Sequence, residues 1–314
     1  MGNCRRTVGR RRYSISVQPS QAEVTLIDVL ARRRSNPSPL RYPGGKASLS
    51  GFFEDTIGAL GLVKPTYVEP YAGGAGAGLD LLYRGVVGRV VINDFDYSVY
   101  SLWDAMLNRH EEFLERFDSV PLTVDEWKRQ REVYRRRDEP GLDRLDLGFA
   151  TFYLNRTNRS GVLRGGMIGG LKQEGTYKLD ARFNKETLRE RVEAVGKHRS
   201  KILVTHQDGV RRLRDWLPKE NVFAYVDPPY YEKGSALYLN SFNDAQHRSL
   251  AQWLNTLADA NWVLTYDTAD FIKALYRNRT SLEFSLHYSA NRREVASEFM
   301  VVSNTVAKAL DPDS

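Results

Sequence analysis

The sequence is almost free of cysteine, since Cys4 is the only one in 314 residues. A single thiol excludes an internal disulfide and a zinc site built from cysteines, and it is typical of the reducing cytosol. No apolar run approaches the roughly 20 residues that a membrane-spanning helix needs. The basic N-terminus lacks the apolar block of a secretory signal, and the 5 histidines share no metal-ligand spacing. We therefore expect a cytoplasmic protein that uses neither a membrane nor a metal ion.

Positive charge, by contrast, is in excess and is concentrated in two regions. The net charge is +7. Residues 1–41 hold nine arginines and two acidic residues, and residues 151–201 hold twelve lysines and arginines and five acidic residues. Because localised positive charge attracts a phosphate backbone, this pattern favours nucleic-acid binding. For the first region, a disordered arm that keeps the chain in solution is an equally good interpretation.

Short apolar runs alternate with helical patterns from residue 41 onward. One helical pattern follows Asp96, and another follows Asp244, which is the expected N-cap of its helix. The runs are rich in Val, Ile, Tyr and Phe, and they lie at 67–70, 89–93, 202–205, 222–226 and 262–266. This alternation predicts an α/β fold with a mostly parallel sheet that is covered on both faces. Two further runs, at 281–288 and 299–303, are joined by a short polar stretch. They predict an antiparallel hairpin at the edge of the sheet.

The segment between the second and third runs is too long and too rich in glycine for a simple crossover. An insertion at the carboxyl end of a strand lies where such sheets bind their ligands. We therefore predict a basic N-terminal arm at residues 1–40 and a catalytic domain made of residues 41–104 and 201–314. Residues 105–200 would form a smaller, mainly helical inserted lobe.

A turn of glycines and alanines at residues 70–78 is the first candidate site, directly after a strand that ends at Glu69. Small residues let the backbone come close to a ligand, and the following helix offers free N–H groups. Asp94 ends the next strand, about 20 residues on, where a carboxylate can bind ribose hydroxyls. The pattern indicates a nucleotide-like cofactor. A glycine turn that only packs a helix on the sheet is the alternative.

The second candidate site is Asp227-Pro228-Pro229-Tyr230, which follows a hydrophobic strand. Two prolines make this turn stiff and supply no N–H, so their carbonyls point outward. An amine such as N6 of adenine could donate to the Asp227 carboxylate and to the Pro228 carbonyl, which would direct its lone pair at a methyl donor. Tyr230 could stack on a base removed from the helix. The alternative is a turn that ends a strand and packs a tyrosine.

A third motif, Gly44-Gly45-Lys46, lies where the ordered domain is expected to begin, and its lysine could reach the carboxylate of a ligand. The order Gly-Gly-Lys, Glu-Pro-aromatic-x-Gly, Asn-Asp and Asp-Pro-Pro-Tyr resembles the Dam-type DNA adenine-N6 methyltransferases, from about residue 42 to the C-terminus. In that family target recognition is inserted between the cofactor and catalytic motifs. The resemblance implies a Rossmann-like class I methyltransferase sheet and S-adenosylmethionine as the cofactor. It also implies methyl transfer to N6 of a flipped-out adenine in double-stranded DNA.

The resemblance also implies roles for individual residues. Asp227 would hold the target N6, Pro228 and Pro229 would shape the turn, and Tyr230 would stack on the flipped adenine. Lys46 would lie near the methionine carboxylate of the cofactor, Asp94 would bind its ribose and Asp208 would face its adenine. The full set expected at the cofactor is Tyr42, Gly45, Lys46, Glu69, Tyr71, Gly73, Gly74, Asp94, Asp208 and Asp227. Ala75 stands where many relatives have glycine, a benign change if φ there is negative.

DNA contacts are expected from polar and basic side chains of the inserted lobe: Asn155, Arg156, Asn158, Arg159, Arg164, Lys172 and Lys178. The lobe matches the family only in outline, so the target sequence does not follow. We expect a monomer or weak dimer at the nucleoid, and any restriction endonuclease that acts with it would be a separate protein. The sequence leaves the biological role open between restriction-modification, phage modification and regulation. Methylation of RNA or of a protein glutamine is one alternative. A non-catalytic DNA-binding protein on the same scaffold is another.

Overall fold

A computed structural model describes the chain at residues 37–41, 46–232, 241–288 and 294–311. Nearly all of the predicted N-terminal arm, together with Tyr42 and Gly45 of the expected cofactor set, lies outside the described residues. In the part of the chain that is described, no helix is long and apolar enough to cross a membrane.

Seven strands form one sheet in the order β3-β2-β1-β4-β5-β7-β6. Their bounds are β1 Thr66–Glu69, β2 Arg89–Asn93, β3 Ile202–Thr205, β4 Val222–Val226, β5 Trp262–Asp267, β6 Ser281–Tyr288 and β7 Glu294–Val302. Strands β1 to β5 are parallel, and β7 runs antiparallel to both β5 and β6. The predicted sheet and edge hairpin are therefore confirmed. Strand β7 begins earlier than predicted because its pairing with β6 continues back to Glu294.

Burial on both faces explains why the parallel strands are short apolar runs. Every residue of β4 and of β5 is buried. Neighbouring residues of β1 point to opposite faces, and Tyr67 and Val68 belong to two different hydrophobic clusters. Helices therefore cover the sheet on both sides, and the strand ends are the places left for polar side chains.

The helices separate the strands in chain order. Their bounds are α1 Ser50–Ala59, α2 Gly76–Tyr83, α3 Tyr97–Asn108, α4 His110–Ser119, α5 Val124–Arg135, α6 Arg144–Thr157, α7 Lys185–Lys197, α8 Gly209–Trp216, α9 Asp244–Thr256, α10 Asp270–Leu275 and α11 Asn304–Leu310. The apolar pattern after Asp96 forms two helices, because Arg109 leaves helical geometry between α3 and α4. Helix α9 is capped by Asn243 in a capping box with Gln246, one residue before the expected Asp244.

The inserted lobe is helical, as expected, with α4 to α7 between β2 and β3. The boundary that we predicted between residues 104 and 105 lies inside α3, which packs along α6. A glycine permits this close approach, since a Cβ on Gly148 of α6 would lie 2.5 Å from the backbone oxygen of Ser101. The lobe therefore shares its hydrophobic core with one face of the sheet.

Replacing Gly148 by alanine should destabilise the protein, because the new methyl group would meet the backbone of α3 rather than a flexible side chain. We expect a loss of roughly 1–3 kcal/mol in the free energy of unfolding, measured by urea denaturation. Gly58→Ala is the matched control, since a Cβ added to this glycine of α1 would have nothing within 4 Å. The control should keep or raise stability, and a Gly148→Ala protein as stable as the wild type would contradict the packing argument.

Candidate active site

Asn93, at the end of β2, joins three strand ends at the carboxyl edge of the sheet. Its amide nitrogen donates to the carbonyls of Pro70 and Gln207, both at 2.9 Å. Its amide oxygen accepts from the Thr205 hydroxyl at 2.8 Å and from the Gln207 N–H at 3.1 Å. Because Asn93 is fully buried, these bonds fix the loops that follow β1 and β3 relative to β2.

The glycine loop after β1 is held against Asp94. The N–H of Gly73 donates to Asp94 Oδ2 at 2.9 Å, and the Trp103 indole N–H donates to the Gly73 carbonyl at 2.9 Å. Gly73 and Ala75 both have left-handed backbones, with φ of +47° and +46°. We expected alanine at position 75 to be benign only if φ there were negative, and φ is positive. A left-handed backbone costs an alanine roughly 1–2 kcal/mol.

Two carboxylates beside this loop are held away from water. Burial raises the pKa of Glu69 to about 8, and the Gly78 N–H opposes this by donating to Glu69 Oε1 at 3.1 Å. Burial, and then the charge of Asp96, raise the pKa of Asp94 to about 7. Carboxylates with raised pKa values concentrate at functional sites, because a bound donor or cation can return them to the ionised form.

Asp227 follows β4 directly and is oriented from two sides. Its Oδ1 accepts the Thr265 hydroxyl of β5 at 2.7 Å, and that hydroxyl lies 2.7 Å from the hydroxyl of Tyr225. Its Oδ2 lies 3.7 Å from Lys46 Nζ. Burial raises the pKa of Asp227 to about 6; the charge of Lys46 lowers it and that of Glu298 raises it. The carboxylate is therefore ionised at neutral pH.

Lys46 is buried between two side chains of the turn at residues 227–230, which we call the catalytic turn, and one side chain of β7. Its ammonium contacts the Tyr230 hydroxyl, lies 3.5 Å from Glu298 Oε2 and stands 4.9 Å from the centre of the Tyr230 ring. The Tyr230 hydroxyl donates to Glu298 Oε2 at 2.5 Å. The structure thus brings together Lys46, Asp227 and Tyr230, which the sequence analysis assigned to separate motifs, and it adds Glu298.

Tyr71 and Asp208 lie where the loops after β1 and β3 meet. Asp208 caps α8 by accepting the Arg211 N–H at 2.9 Å, and it lines a cavity of about 240 Å³ with Phe242. The Tyr71 ring packs edge-on against Phe242 at 5.6 Å. Among the described residues, the buried Tyr71 hydroxyl and the buried Gln207 Oε1 have no hydrogen-bond partner. The described chain has other such atoms, but these two lie on the loops that flank the cavity, where a polar ligand such as a nucleoside could bond them.

In the inserted lobe, Asn155 and Asn158 are buried and serve the fold. Asn155 exchanges two hydrogen bonds with the backbone of Arg41, at 2.8 and 2.9 Å. The amide nitrogen of Asn158 donates to the carbonyls of Val162 and Leu163, and its oxygen accepts from the Trp127 indole. Both amides are thus satisfied within the protein, and in this structure they hold residue 41 and the loop after α6 in place.

The other residues expected at DNA fall into two groups. Arg156 is buried, and its Nε donates to the Arg182 carbonyl at 2.9 Å. The remaining four are exposed at the surface of the lobe: Arg159, Arg164, Lys172 and Lys178. Leu171 and Tyr177 stand beside the last two with 64% and 67% of their surfaces exposed. Exposed apolar side chains between exposed cations are suited to contact with nucleic acid.

The chain is similar to proteins of one known family. Residues 42–295 match the family model of the D12 class N6 adenine-specific DNA methyltransferases. The chain belongs to this family. It is also 26% identical, over 237 residues, to the Type II methyltransferase M.MjaIII of Methanocaldococcus jannaschii, in a match that covers 69% of this chain and 79% of the relative. The protein is therefore a DNA adenine methyltransferase with a class I methyltransferase fold, from a family that uses S-adenosylmethionine.

Two residues at the site of this methyltransferase were missed from the sequence. Thr265 lies in an apolar strand, and Glu298 lies in β7 next to Phe299 and Met300. Each is a polar residue inside a buried run, which is the one signal that could have marked it. Only the pairing of β7 with β5 carries Glu298 to the catalytic turn, where Glu298 faces Asp267 in the register.

Glu298→Gln should move the acid limb of the methyl-transfer pH profile to lower pH. We expect the ionised form of Asp227 to be the active one, so that activity should fall as pH drops through its pKa of about 6. Loss of the Glu298 charge makes ionisation of Asp227 easier, and we expect a shift of roughly half a unit to one unit. The readout is kcat against pH from pH 5 to 8.

Glu283→Gln is the matched control, since this carboxylate is exposed in the same hairpin and pairs with Lys273. It should leave the acid limb unchanged. An acid limb that stays in place or moves to higher pH in Glu298→Gln would contradict the electrostatic role given to Glu298.

Proposed function

We propose that this methyltransferase acts on an adenine turned out of double-stranded DNA, and that residues 227–230 hold it. The Asp227 carboxylate supports this best, because Thr265 orients one oxygen and Lys46 faces the other. The Asp227 side chain is 20% exposed, so a base that leaves the helix can reach it at the sheet edge. A base inside a duplex could not, which is the reason for proposing base flipping.

The proposed chemistry uses Asp227 as an acceptor. S-adenosylmethionine supplies a methyl group already activated by its sulfonium. Asp227 Oδ2 is the oxygen left for an N6 hydrogen, because Oδ1 accepts the Thr265 hydroxyl, and the Pro228 carbonyl is the candidate for the second hydrogen. The N6–carbon bond forms as the sulfur–carbon bond breaks, and positive charge passes to N6. The ionised carboxylate stabilises that charge and can then take the N6 proton.

For the cofactor we propose the cleft between the glycine loop and the loop after β3. Asp94 already accepts the N–H groups of Gly73 and Asp96. A carboxylate offers about four acceptor positions, so Asp94 keeps room for a ribose hydroxyl beside these N–H groups and that of Phe95. Tyr71, Gln207 and Asp208 would surround the adenine, while Glu69 and Gly74 would shape the loop below it. To contact the methionine carboxylate of the cofactor, the Lys46 side chain would have to rotate away from Glu298.

For DNA we propose the exposed cations of the inserted lobe, Arg159, Arg164, Lys172 and Lys178. They belong to residues 151–201, which hold twelve lysines and arginines against five acidic residues, and Tyr177 offers a ring for stacking. The family match favours DNA over the RNA and protein alternatives. The presence of Lys46, Asp227 and Tyr230 at one turn argues against a scaffold without catalytic activity. Because the relative is named a Type II methyltransferase, we propose a role in restriction-modification with a separate endonuclease.

Asp227→Ala should abolish methyl transfer and leave much of the cofactor affinity in place. The variant loses the acceptor for N6, and we expect kcat to fall by roughly 1000-fold or more. Transfer of labelled methyl groups to duplex DNA measures activity, and calorimetry measures S-adenosylmethionine binding. Sequencing of DNA from a methylation-free host that expresses the wild type would identify N6-methyladenine and its sequence context.

Asp259→Ala provides the control, since Asp259 is an exposed carboxylate in the turn between α9 and β5. It should methylate DNA as the wild type does. Appreciable methyl transfer by Asp227→Ala would overturn the assignment of the catalytic turn.

A further inference from the structure

Four arginines converge where residues 37–41 meet the inserted lobe. Arg41 ends that segment, Arg156 lies at the end of α6, Arg182 ends a 3-10 turn and Arg191 belongs to α7. Each of three guanidinium groups donates to a backbone carbonyl: Arg41 to Asn158 at 3.4 Å, Arg156 to Arg182 at 2.9 Å and Arg191 to Ser38 at 3.1 Å. The backbone thus orients these groups and uses few of their donors. We refer to Arg41, Arg156, Arg182 and Arg191 as the arginine cluster.

The arginine cluster lacks a carboxylate partner in the described part of the chain. Among the residues that the structure describes, none of the four forms an ion pair with a carboxylate. Other arginines of the lobe do so: Arg116 pairs with Asp146, and Arg189 pairs with Asp118 and Glu193. These carboxylates are therefore engaged outside the cluster.

Arg156 is the centre of the cluster, with only 8% of its surface exposed. Burial first, and then the charges of Arg41, Arg191 and Arg182, lower the pKa of Arg156 to about 9. Its Nε is bonded to the Arg182 carbonyl, and its two terminal nitrogens have no hydrogen-bond partner among the described residues. A buried cation that faces only other cations is destabilising, and an anion that arrives from outside relieves it.

We propose that the arginine cluster binds a phosphate of the DNA backbone, next to the catalytic edge. Guanidinium donors match the oxygens of a phosphate in pairs. The cluster also adjoins the glycine loop. Arg191 donates to the carbonyl of Ser38, and the Ser38 hydroxyl donates to the Gly74 carbonyl at 2.5 Å. Arg156 is too deeply buried to read a base edge, which requires a side chain that enters a groove. This inference rests on DNA as the substrate, and it separates Arg156 from the exposed cations of the lobe.

The test compares Arg182→Gln and Arg191→Gln with Arg189→Gln. Arg189 lies on the same helix as Arg191 but is paired with Asp118 and Glu193. Fluorescence anisotropy on a labelled duplex, over a series of salt concentrations, gives the dissociation constant and its salt dependence. We expect each cluster variant to bind DNA roughly tenfold more weakly and to lower the salt slope by about 0.9, the value for one lost phosphate contact. Duplexes with and without the methylated sequence should weaken alike, because a phosphate contact carries no sequence information.

Two further readouts keep the outcomes distinct. The affinity for S-adenosylmethionine should stay unchanged in the cluster variants, since the cofactor does not use the arginines. Inorganic phosphate, at an ionic strength matched with chloride, should raise the Tm of the wild type more than that of Arg182→Gln.

Cluster variants that bind DNA with the affinity and salt slope of Arg189→Gln would overturn the inference, even if phosphate still raised the Tm. In that case the cluster would be a site for free anions alone. Wild-type methylation of DNA, measured in parallel, tests the proposed function separately. If the wild type methylates DNA and the cluster variants bind DNA normally, the phosphate site is disproved and the proposed function is not affected.

Discussion

The buried ammonium of Lys46 is the charge on which the arrangement of the active site depends. It faces the carboxylates of Asp227 and Glu298 and contacts the Tyr230 hydroxyl. Without it, the Asp227 carboxylate would face the charge of Glu298 with no cation beside it, and its pKa would rise further. With it, Asp227 stays ionised at neutral pH and the aromatic ring of the catalytic turn is held in place. Three distant segments of the chain must fold together before this charge has its partners.

The same principle applies in reverse to the arginine cluster. At the catalytic turn the protein supplies both signs of charge, and the network is closed. In the arginine cluster it supplies positive charge only. Within the described chain, no carboxylate offsets the cost of burying the Arg156 charge. A closed network positions groups for chemistry, whereas an open one awaits a ligand of the opposite charge. The two sites are linked through Ser38 and the glycine loop, which places a bound phosphate beside the cofactor cleft.

Much of the fold could be predicted because parallel strands buried on both faces are continuous apolar runs. The bounds of β2, β3, β4 and β6 agree with the runs that predicted them. The errors arose where tertiary contacts overrode the local pattern. Arg109 divides one helical pattern into two helices, Asn243 takes the cap expected at Asp244, and Ala75 adopts the left-handed backbone that its loop requires. Polarity in the sequence could not show that Asn155 and Asn158 are buried and hold a loop, because it does not distinguish a surface amide from a buried one.

The sequence by itself determined the family and the motif order, and it marked residues 227–230 as the candidate catalytic turn, because these depend on short stretches in which each residue type has a chemical reason to be present. It could not determine which distant side chains meet at that turn. Glu298 reaches Tyr230 only through the antiparallel pairing of β7 with β5, and the arginine cluster forms only where three elements of the lobe meet residues 37–41. Tertiary structure decided these contacts, because burial and charge depend on neighbours in space, and spacing along the chain does not record them.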